Sequence, residues 1–368
     1  MEFIATAAFG LEGLVKQELK HLGVDASGSQ GGARFSGTMK TAFMANLWLS
    51  SADRVLLVLR EEEAKTFDAL FQLVNAIPWE EYLPRDAAFP VSGNCVRSQL
   101  MSVSDCQRIA KKAIVERLKG VYHTEWFQET GAKYLVSVTL HNDIARVTLD
   151  TSGDALNRRG YRTWTGEAPL RETLAAAMVR LCPWETGHPL HDPCCGTGTL
   201  LIEAAFLAAR RAPGLTRHFT MENWPLTDHA ACDLLRREAE RLYQPEKIKH
   251  ISGSDIDPEA LTLARRHIRQ AGLEGKITVY QKDVRDLKLD GPAPCFITNP
   301  PYGERLGDKP KAQKIAAALG NLLSMHPGSV LCALSADPAF ERFVKRKPSF
   351  KRRLYNGRLE CELIVMQG

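Results

Sequence analysis

None of the nine cysteines is paired in a C-x-x-C spacing, and the adjacent Cys194 and Cys195 cannot easily both ligate one ion. Neither a metal site nor a disulfide framework is expected. Thiols scattered in apolar runs, such as Cys295 and Cys332, suit a reducing cytosol, so a cytoplasmic location is expected. No run approaches the roughly 20 apolar residues that a membrane span needs. No basic region precedes the first apolar stretch, and Glu12 interrupts it, so a signal peptide is not expected. Internal repeats and low-complexity tracts are missing too. The net charge of +5 is too small to name a partner.

What is present organises into several units. The 368 residues suffice for two or three domains, each with its own core. In residues 1–65, Phe3 to Ala8 reads as a strand. Leu11 to Leu22 reads as a helix with Leu11, Leu14, Val15, Leu19 and Leu22 on one face. Strand, helix and strand follow at Gly32 to Phe35, Met39 to Leu49 and Arg54 to Glu61. This suits a small α+β unit of ferredoxin-like type. Residues 66–155 read as a helix (Phe67 to Asn75), a strand (Ala88 to Arg97), a helix from Asp105 to Lys119 capped by Ser104, and a hairpin. The hairpin joins Tyr134 to Leu140 with Ile144 to Asp150. The apolar face of the capped helix is expected at Ile109, Ala113 and Val115 or Leu118. A linker, 156–169, leads to the last unit, 170–368.

That last unit carries the chemistry. His191-Asp192-Pro193-Cys194-Cys195-Gly196-Thr197-Gly198-Thr199 runs into an apolar helical stretch. Strand, glycine turn and helix form a nucleotide-binding first crossover, the start of a doubly wound α/β fold. Only two glycines are present, not the three of a dinucleotide site, and an acid precedes them. An acid there suits an ammonium or sulfonium ligand better than a pyrophosphate. A second strand ends at Asp255-Ile256-Asp257, and a third at Asp283-Val284. Such acids partner ribose hydroxyls or an adenine amine. Singly, each reads as well as a helix cap; four ordered strand ends do not.

The fourth strand end is Asn299-Pro300-Pro301-Tyr302, after the apolar Cys295 to Thr298. An exocyclic amine on a base is a poor nucleophile, because its lone pair is delocalised into the ring. A site that alkylates it must accept hydrogen bonds from the NH2 and hold the nitrogen in line with the donor. The Asn299 carboxamide oxygen and the Pro300 carbonyl can be those acceptors. The prolines fix an extended loop with no competing N–H. Tyr302 offers a ring on which an extruded base stacks.

In this order, these motifs resemble class I S-adenosylmethionine-dependent amino-methyltransferases. The fuller pattern adds residues 4–12, 158–162, 168–174, 299–306 and 354–360. It resembles the THUMP-domain RNA methyltransferases, most of all the bacterial enzymes that form N2-methylguanosine in large-subunit rRNA. The resemblance implies a Rossmann-like methyltransferase domain behind ferredoxin-like and THUMP-like domains. It implies S-adenosylmethionine as cofactor, held by Asp192, Cys194, Gly196, Gly198, Thr199, Asp255, Ile256, Asp283, Val284 and Thr173. Asn299, Pro300, Pro301 and Tyr302 would be catalytic, and no metal is implied. Cys194 stands where these enzymes often carry Phe, but its backbone can still meet the cofactor. Alternatives are a tRNA guanine-N2 enzyme, an adenine-N6 methyltransferase, and a non-catalytic RNA-binding protein on this scaffold.

RNA contacts are sought where cations gather. Residues 342–358 hold eight Lys or Arg and no acid, interleaved with Phe343, Phe350 and Tyr355. Lys351, Arg352 and Arg353 are the candidates for phosphate contact there. Lys111 and Lys112 on the THUMP-like helix and Arg158 and Arg159 in the linker are the others. The spacing from Asp192 to Asp255 is 63 residues, about 40 more than such a fold needs. The extra residues, helical from Asp228 to Tyr243, either shape the substrate entrance or pack beside the first helix. His188 and His191 read as structural.

Overall fold

The strands of the first 150 residues build one sheet rather than two. A computed structural model of the chain describes residues 1–162, 170–303 and 309–368. The second half of the linker, 163–169, and the end of the loop motif, 304–306, lie outside the described residues. The N-terminal elements are β1 (Glu2–Thr6), α1 (Glu12–His21), β2 (Ala26–Ser29), β3 (Gly32–Ser36), α2 (Met39–Trp48) and β4 (Arg54–Glu63). Next come α3 (Phe67–Asn75), β5 (Val91–Val96), α4 (Val103–Tyr122), β6 (Val136–His141) and β7 (Ile144–Asp150).

The sheet order is β2-β3-β1-β4-β7-β6-β5. The ten-residue β4 makes the fusion. Its first half pairs with β1 (Val58 opposite Glu2), and β7 follows it out to Glu63, opposite Ile144. Helix α4 begins two residues earlier than expected. Ser102, not Ser104, is its cap, because Ser102 is extended and its hydroxyl meets the Asp105 N–H at 3.4 Å. The buried face is Cys106, Ala110, Ala113, Ile114 and Leu118, with Ile109 and Val115 half-buried.

The C-terminal elements are α5 (Glu172–Leu181), β8 (Leu190–Asp192), α6 (Thr199–Ala208), α7 (His229–Leu242), β9 (Ile251–Asp255), α8 (Pro258–Gln270) and β10 (Ile277–Gln281). They continue with β11 (Cys295–Thr298), α9 (Lys309–Met325), β12 (Val330–Ser335), α10 (Phe340–Val344), β13 (Pro348–Asn356) and β14 (Leu359–Gln367). Their sheet runs β10-β9-β8-β11-β12-β14-β13, parallel as far as β12. The chain winds outward from β8 to β10, then returns to lay β11 on the other side of β8. That reversal is a topological switch point, where a doubly wound sheet opens its ligand crevice.

The extra residues between α6 and β9 do border the first helix, where Leu235 and Leu242 line one cavity with Phe206 and Leu207, but they also have a second partner. They enter the core of the N-terminal sheet. Trp224 is fully buried and stacks on Tyr134 with centroids 4.8 Å apart, while its indole N–H donates to the Lys133 carbonyl at 3.0 Å. Phe219 meets Phe43 edge-on at 5.6 Å. Arg236 braces the segment through both oxygens of Glu222, at 2.9 Å each.

Buried charge closes the rest of the seam between the two sheets. Arg159 is 4 % exposed; it faces Glu203 at 3.6 Å and donates to the carbonyls of Leu156 and Ser50. It therefore cannot reach an RNA phosphate, which corrects the linker assignment. Glu203 also accepts from the Tyr161 hydroxyl at 3.0 Å. Arg162 lies 3.4 Å from Glu172, and Arg180 lies 3.5 Å from Glu18 of α1. Arg159→Met strips Glu203 of its buried cation and should cost about 3–5 kcal/mol in urea unfolding. A loss under about 1 kcal/mol, the scale of an exposed pair, would show that the seam does not depend on this contact.

Candidate active site

Each of the four motifs sits at the C-terminal end of a parallel strand: Asp192 closes β8, Asp255 closes β9, Asp283 follows β10 and Asn299 follows β11. Register places them side by side, with Asp192 opposite Gly253 and Asp255 opposite Gln281. A cavity of about 550 Å³ opens over these ends, with Cys194, Asp255, Ile256, Asp283, Val284 and Pro301 in its wall.

Asp192 is 1 % exposed. One oxygen accepts the Cys194 N–H at 3.1 Å. No side-chain cation is paired with it among the described residues. Burial, with the Asp255 charge adding, pushes its carboxyl up to about 7. A buried carboxylate without a cation is costly, and a cationic ligand group would relieve it. Asp255 is already organised: Gly196 N–H donates to one oxygen at 2.8 Å and Asp257 N–H to the other at 3.0 Å. Spare lone pairs remain for ribose hydroxyls.

The glycines divide their work. A Cβ on Gly196 would point into open space, so bare backbone faces whatever lies over the turn. Gly198 is required by its backbone: it enters α6 in the left-handed region at φ +81, while a Cβ there would make only ordinary contact with Ala264 at 3.4 Å. Ile256 is 60 % exposed and gives the cavity an apolar flank suited to a purine face. Asp283 is held by Arg285, whose Nε lies 2.9 Å from both carboxylate oxygens. That pairing is the first cause holding its carboxyl below the ordinary range. These features fit S-adenosylmethionine: an ammonium site, a ribose site and a flat apolar wall.

Two expected contacts lie elsewhere. The Thr173 hydroxyl donates to Asp53 at 3.0 Å, and the Thr199 hydroxyl accepts from Arg162 at 2.6 Å. Both hydroxyls serve the seam, and neither residue is in the cavity wall, which Asp192, Gly196 and Gly198 also stand behind. Lys311, Lys314 and Ile315 of α9 do line it and carried no sequence signal. Only a three-dimensional neighbour relation brings them there. His191 is buried between Ser252 (2.8 Å) and Ser254 (3.1 Å), and burial holds it neutral, down to about 4, as suits a structural histidine.

In the amine-binding loop, Pro300 is buried and Pro301 exposed. The Tyr302 hydroxyl donates to the Asn299 carboxamide oxygen. This fixes the carboxamide's orientation and leaves that oxygen a second lone pair.

The expected RNA contacts also sort by geometry. Lys111 is engaged by Glu129 at 2.6 Å, by the Phe89 carbonyl and by the Phe89 ring. Lys351 is shared between Glu341 and Glu362. Both are poorer phosphate ligands than expected, since each already has anionic company. Lys112 is exposed, Arg353 is exposed with Glu360 4.0 Å away, and Arg158 is exposed beside Asp154 at 3.2 Å. Arg352 lies over Phe350.

Fold and site together define a class I methyltransferase, whose methyl donor is S-adenosylmethionine. The chain belongs to the family described as "RMKL-like, methyltransferase domain", which matches residues 159–364. Before it, residues 2–56 match the RlmL ferredoxin-like domain and residues 64–150 the THUMP domain. The Bacillus subtilis protein named "Putative RNA methyltransferase YpsC" is 39 % identical over 361 residues, covering 98 % of this chain and 94 % of that one. "Ribosomal RNA large subunit methyltransferase K/L" of Syntrophotalea carbinolica is 34 % identical over 383 residues. The match takes in 99 % of this chain but 53 % of that protein, so this chain spans about half its length. The crystal structure titled "SMU.472, a putative methyltransferase complexed with SAH" superimposes with a TM-score of 0.95 at 38 % identity, over 100 % of this chain and 98 % of that one. No helix among the described residues is long and apolar enough to cross a membrane.

Two outcomes are expected in calorimetry with S-adenosylmethionine. If Asp192 holds the donor's ammonium it must be ionised to do so, and burial pushes its carboxyl up to about 7 in the free protein. Affinity should therefore fall as pH drops through 7, by roughly tenfold per unit below it. Asp192→Asn should bind weakly with no such slope, and an unchanged slope in that variant would clear Asp192 of the role. Asp255→Ala should lose about 1.5–3 kcal/mol, the worth of charge-assisted bonds; unaltered affinity would take Asp255 out of the ribose site.

Proposed function

We propose that the chain transfers a methyl group from S-adenosylmethionine to the exocyclic N2 amine of a guanine in RNA, in large-subunit rRNA or its precursor particle. The observation that carries this reading is the Asn299-Pro300-Pro301-Tyr302 loop at the end of β11, on the strand beside the buried acid of β8. The THUMP domain and the RNA methyltransferase names of the relatives support an RNA substrate. The K/L name supports rRNA over tRNA. Guanine N2 over adenine N6 rests on the family resemblance, since the loop chemistry serves either amine.

Asn299 Oδ1 and the Pro300 carbonyl accept from the amine and turn its lone pair toward the cleft. Tyr302 pins Asn299 through its hydroxyl and lends its ring to the extruded base. The bound donor supplies an electrophilic methyl on a sulfonium, so the protein's task is alignment within reach of attack. No strong base is required, because the amine becomes very acidic once alkylated. Its proton leaves to Asn299, a carbonyl or water.

Asn299→Ala should keep donor affinity and lose roughly 10²–10³ in rate, as when one preorganised polar group is removed at a reacting centre. An active Asn299→Ala enzyme would sink the mechanism. Nucleoside mass spectrometry of rRNA and tRNA from a deletion strain should show N2-methylguanosine missing from large-subunit rRNA. N6-methyladenosine missing in its place would sink the substrate and leave the mechanism. Neutralising Arg352 and Arg353 should flatten the salt dependence of RNA affinity by about one slope unit per lost contact, and neutralising Lys351 by less. Equal slopes throughout would make this run a solvated face.

A further inference from the structure

Phe9 stands in the loop between β1 and α1 with 53 % of its surface exposed. Its loop is nevertheless fixed. Gly10 has φ +88, and a Cβ there would lie 2.4 Å from the Arg353 carbonyl oxygen, so the loop sits directly on β13. The Gly10 N–H donates to the Glu12 carboxylate at 2.9 Å, and Leu11 is buried. Across the domain boundary, Tyr355 meets the Phe9 ring edge-on at 5.7 Å and 89°. The Arg353 guanidinium lies 5.1 Å from the ring centroid. Tyr355 is itself tied to Glu360 through its hydroxyl at 2.8 Å.

The place of this cluster follows from register. Thr298 of β11 is opposite Ala333 of β12, Ser335 of β12 is opposite Glu362 of β14, and Glu362 is opposite Arg353 of β13. The cluster therefore stands at the same end of the sheet as Asn299. Three strand spacings separate them, about 14 Å. It lies on the far side of Asn299 from β8, β9 and β10, whose ends form the donor cavity.

A rigid exposed ring beside a cation and a second ring is a poor surface for water and a good one for a base. When a target base is extruded, its neighbour loses a stacking partner. We propose that Phe9, Arg353 and Tyr355 form a stacking platform for an unpaired nucleotide next to the target, built jointly by the ferredoxin-like domain and the methyltransferase hairpin. This rests on the RNA reading above. The contact is with a base face, so it is tolerant of base identity.

Fluorescence anisotropy of the whole protein with labelled 12-nucleotide oligo(A) and oligo(U) tests it. Phe9→Ala and Phe9→Leu should each weaken binding by about 5- to 100-fold, the loss of one base–aromatic stack. Phe9→Trp should restore it. The salt slope should stay that of the parent, because no phosphate contact is lost. Full affinity in Phe9→Ala would overturn the platform and leave the RNA reading intact. Full affinity in Phe9→Leu would assign the residue to apolar contact and overturn stacking. A flattened slope in Phe9→Ala would mean that the ring acts only by placing Arg353, which also overturns it. If the parent protein binds neither oligonucleotide at low salt, the RNA reading and the platform fall together.

Discussion

The buried pairing of Arg159 with Glu203 ties the two sheets into one object. Arginine suits this place, because its planar fork donates to the carbonyls of Leu156 and Ser50 while its charge faces the Glu203 carboxylate at 3.6 Å. Glu203 lies on α6, the helix that starts at the glycine turn. Arg162 reaches the first residue of that helix through Thr199. The linker thus grips the element that shapes the donor site, and the geometry of the turn depends on the N-terminal half being in place.

The site shows a division between groups that are satisfied and groups that are not. Asp255 and Asp283 have partners already, backbone N–H groups for one and Arg285 for the other. Asp192 has a single backbone partner and a carboxyl lifted by burial. The unmet need sits where the ligand's ammonium is expected, and the satisfied acids sit where neutral hydroxyl and amine groups are expected. Affinity and orientation are thereby carried by different residues.

Much of this was legible in the chain. Acids and the Asn-Pro-Pro-Tyr run betray themselves by closing short apolar stretches, and a parallel sheet must bring such ends together. Hydroxyl direction was not legible: Thr173 and Thr199 lie close in sequence to the motifs, but their side chains turn to Asp53 and Arg162. Nor was burial of the linker arginines, since Arg158 and Arg159 are adjacent and identical in type, yet one is in solvent and the other in the seam. The extra segment after α6 gave its helix but not its partner, because Trp224 on Tyr134 is a contact 90 residues distant in sequence. The cap of α4 fell two residues off, as Ser102 and Ser104 offer the same chemistry at neighbouring positions.

The tryptophan-anchored segment, the fused N-terminal sheet and the buried seam have a joint consequence for how a large substrate is addressed. Two bodies locked at several points behave as a caliper with a set opening. An RNA gripped by the N-terminal body, as the proposed function requires, would offer the cleft only the nucleotide that lies at that separation. Selection of a site is then partly metric: the distance from a folded RNA feature to the target would count alongside the identity of the base.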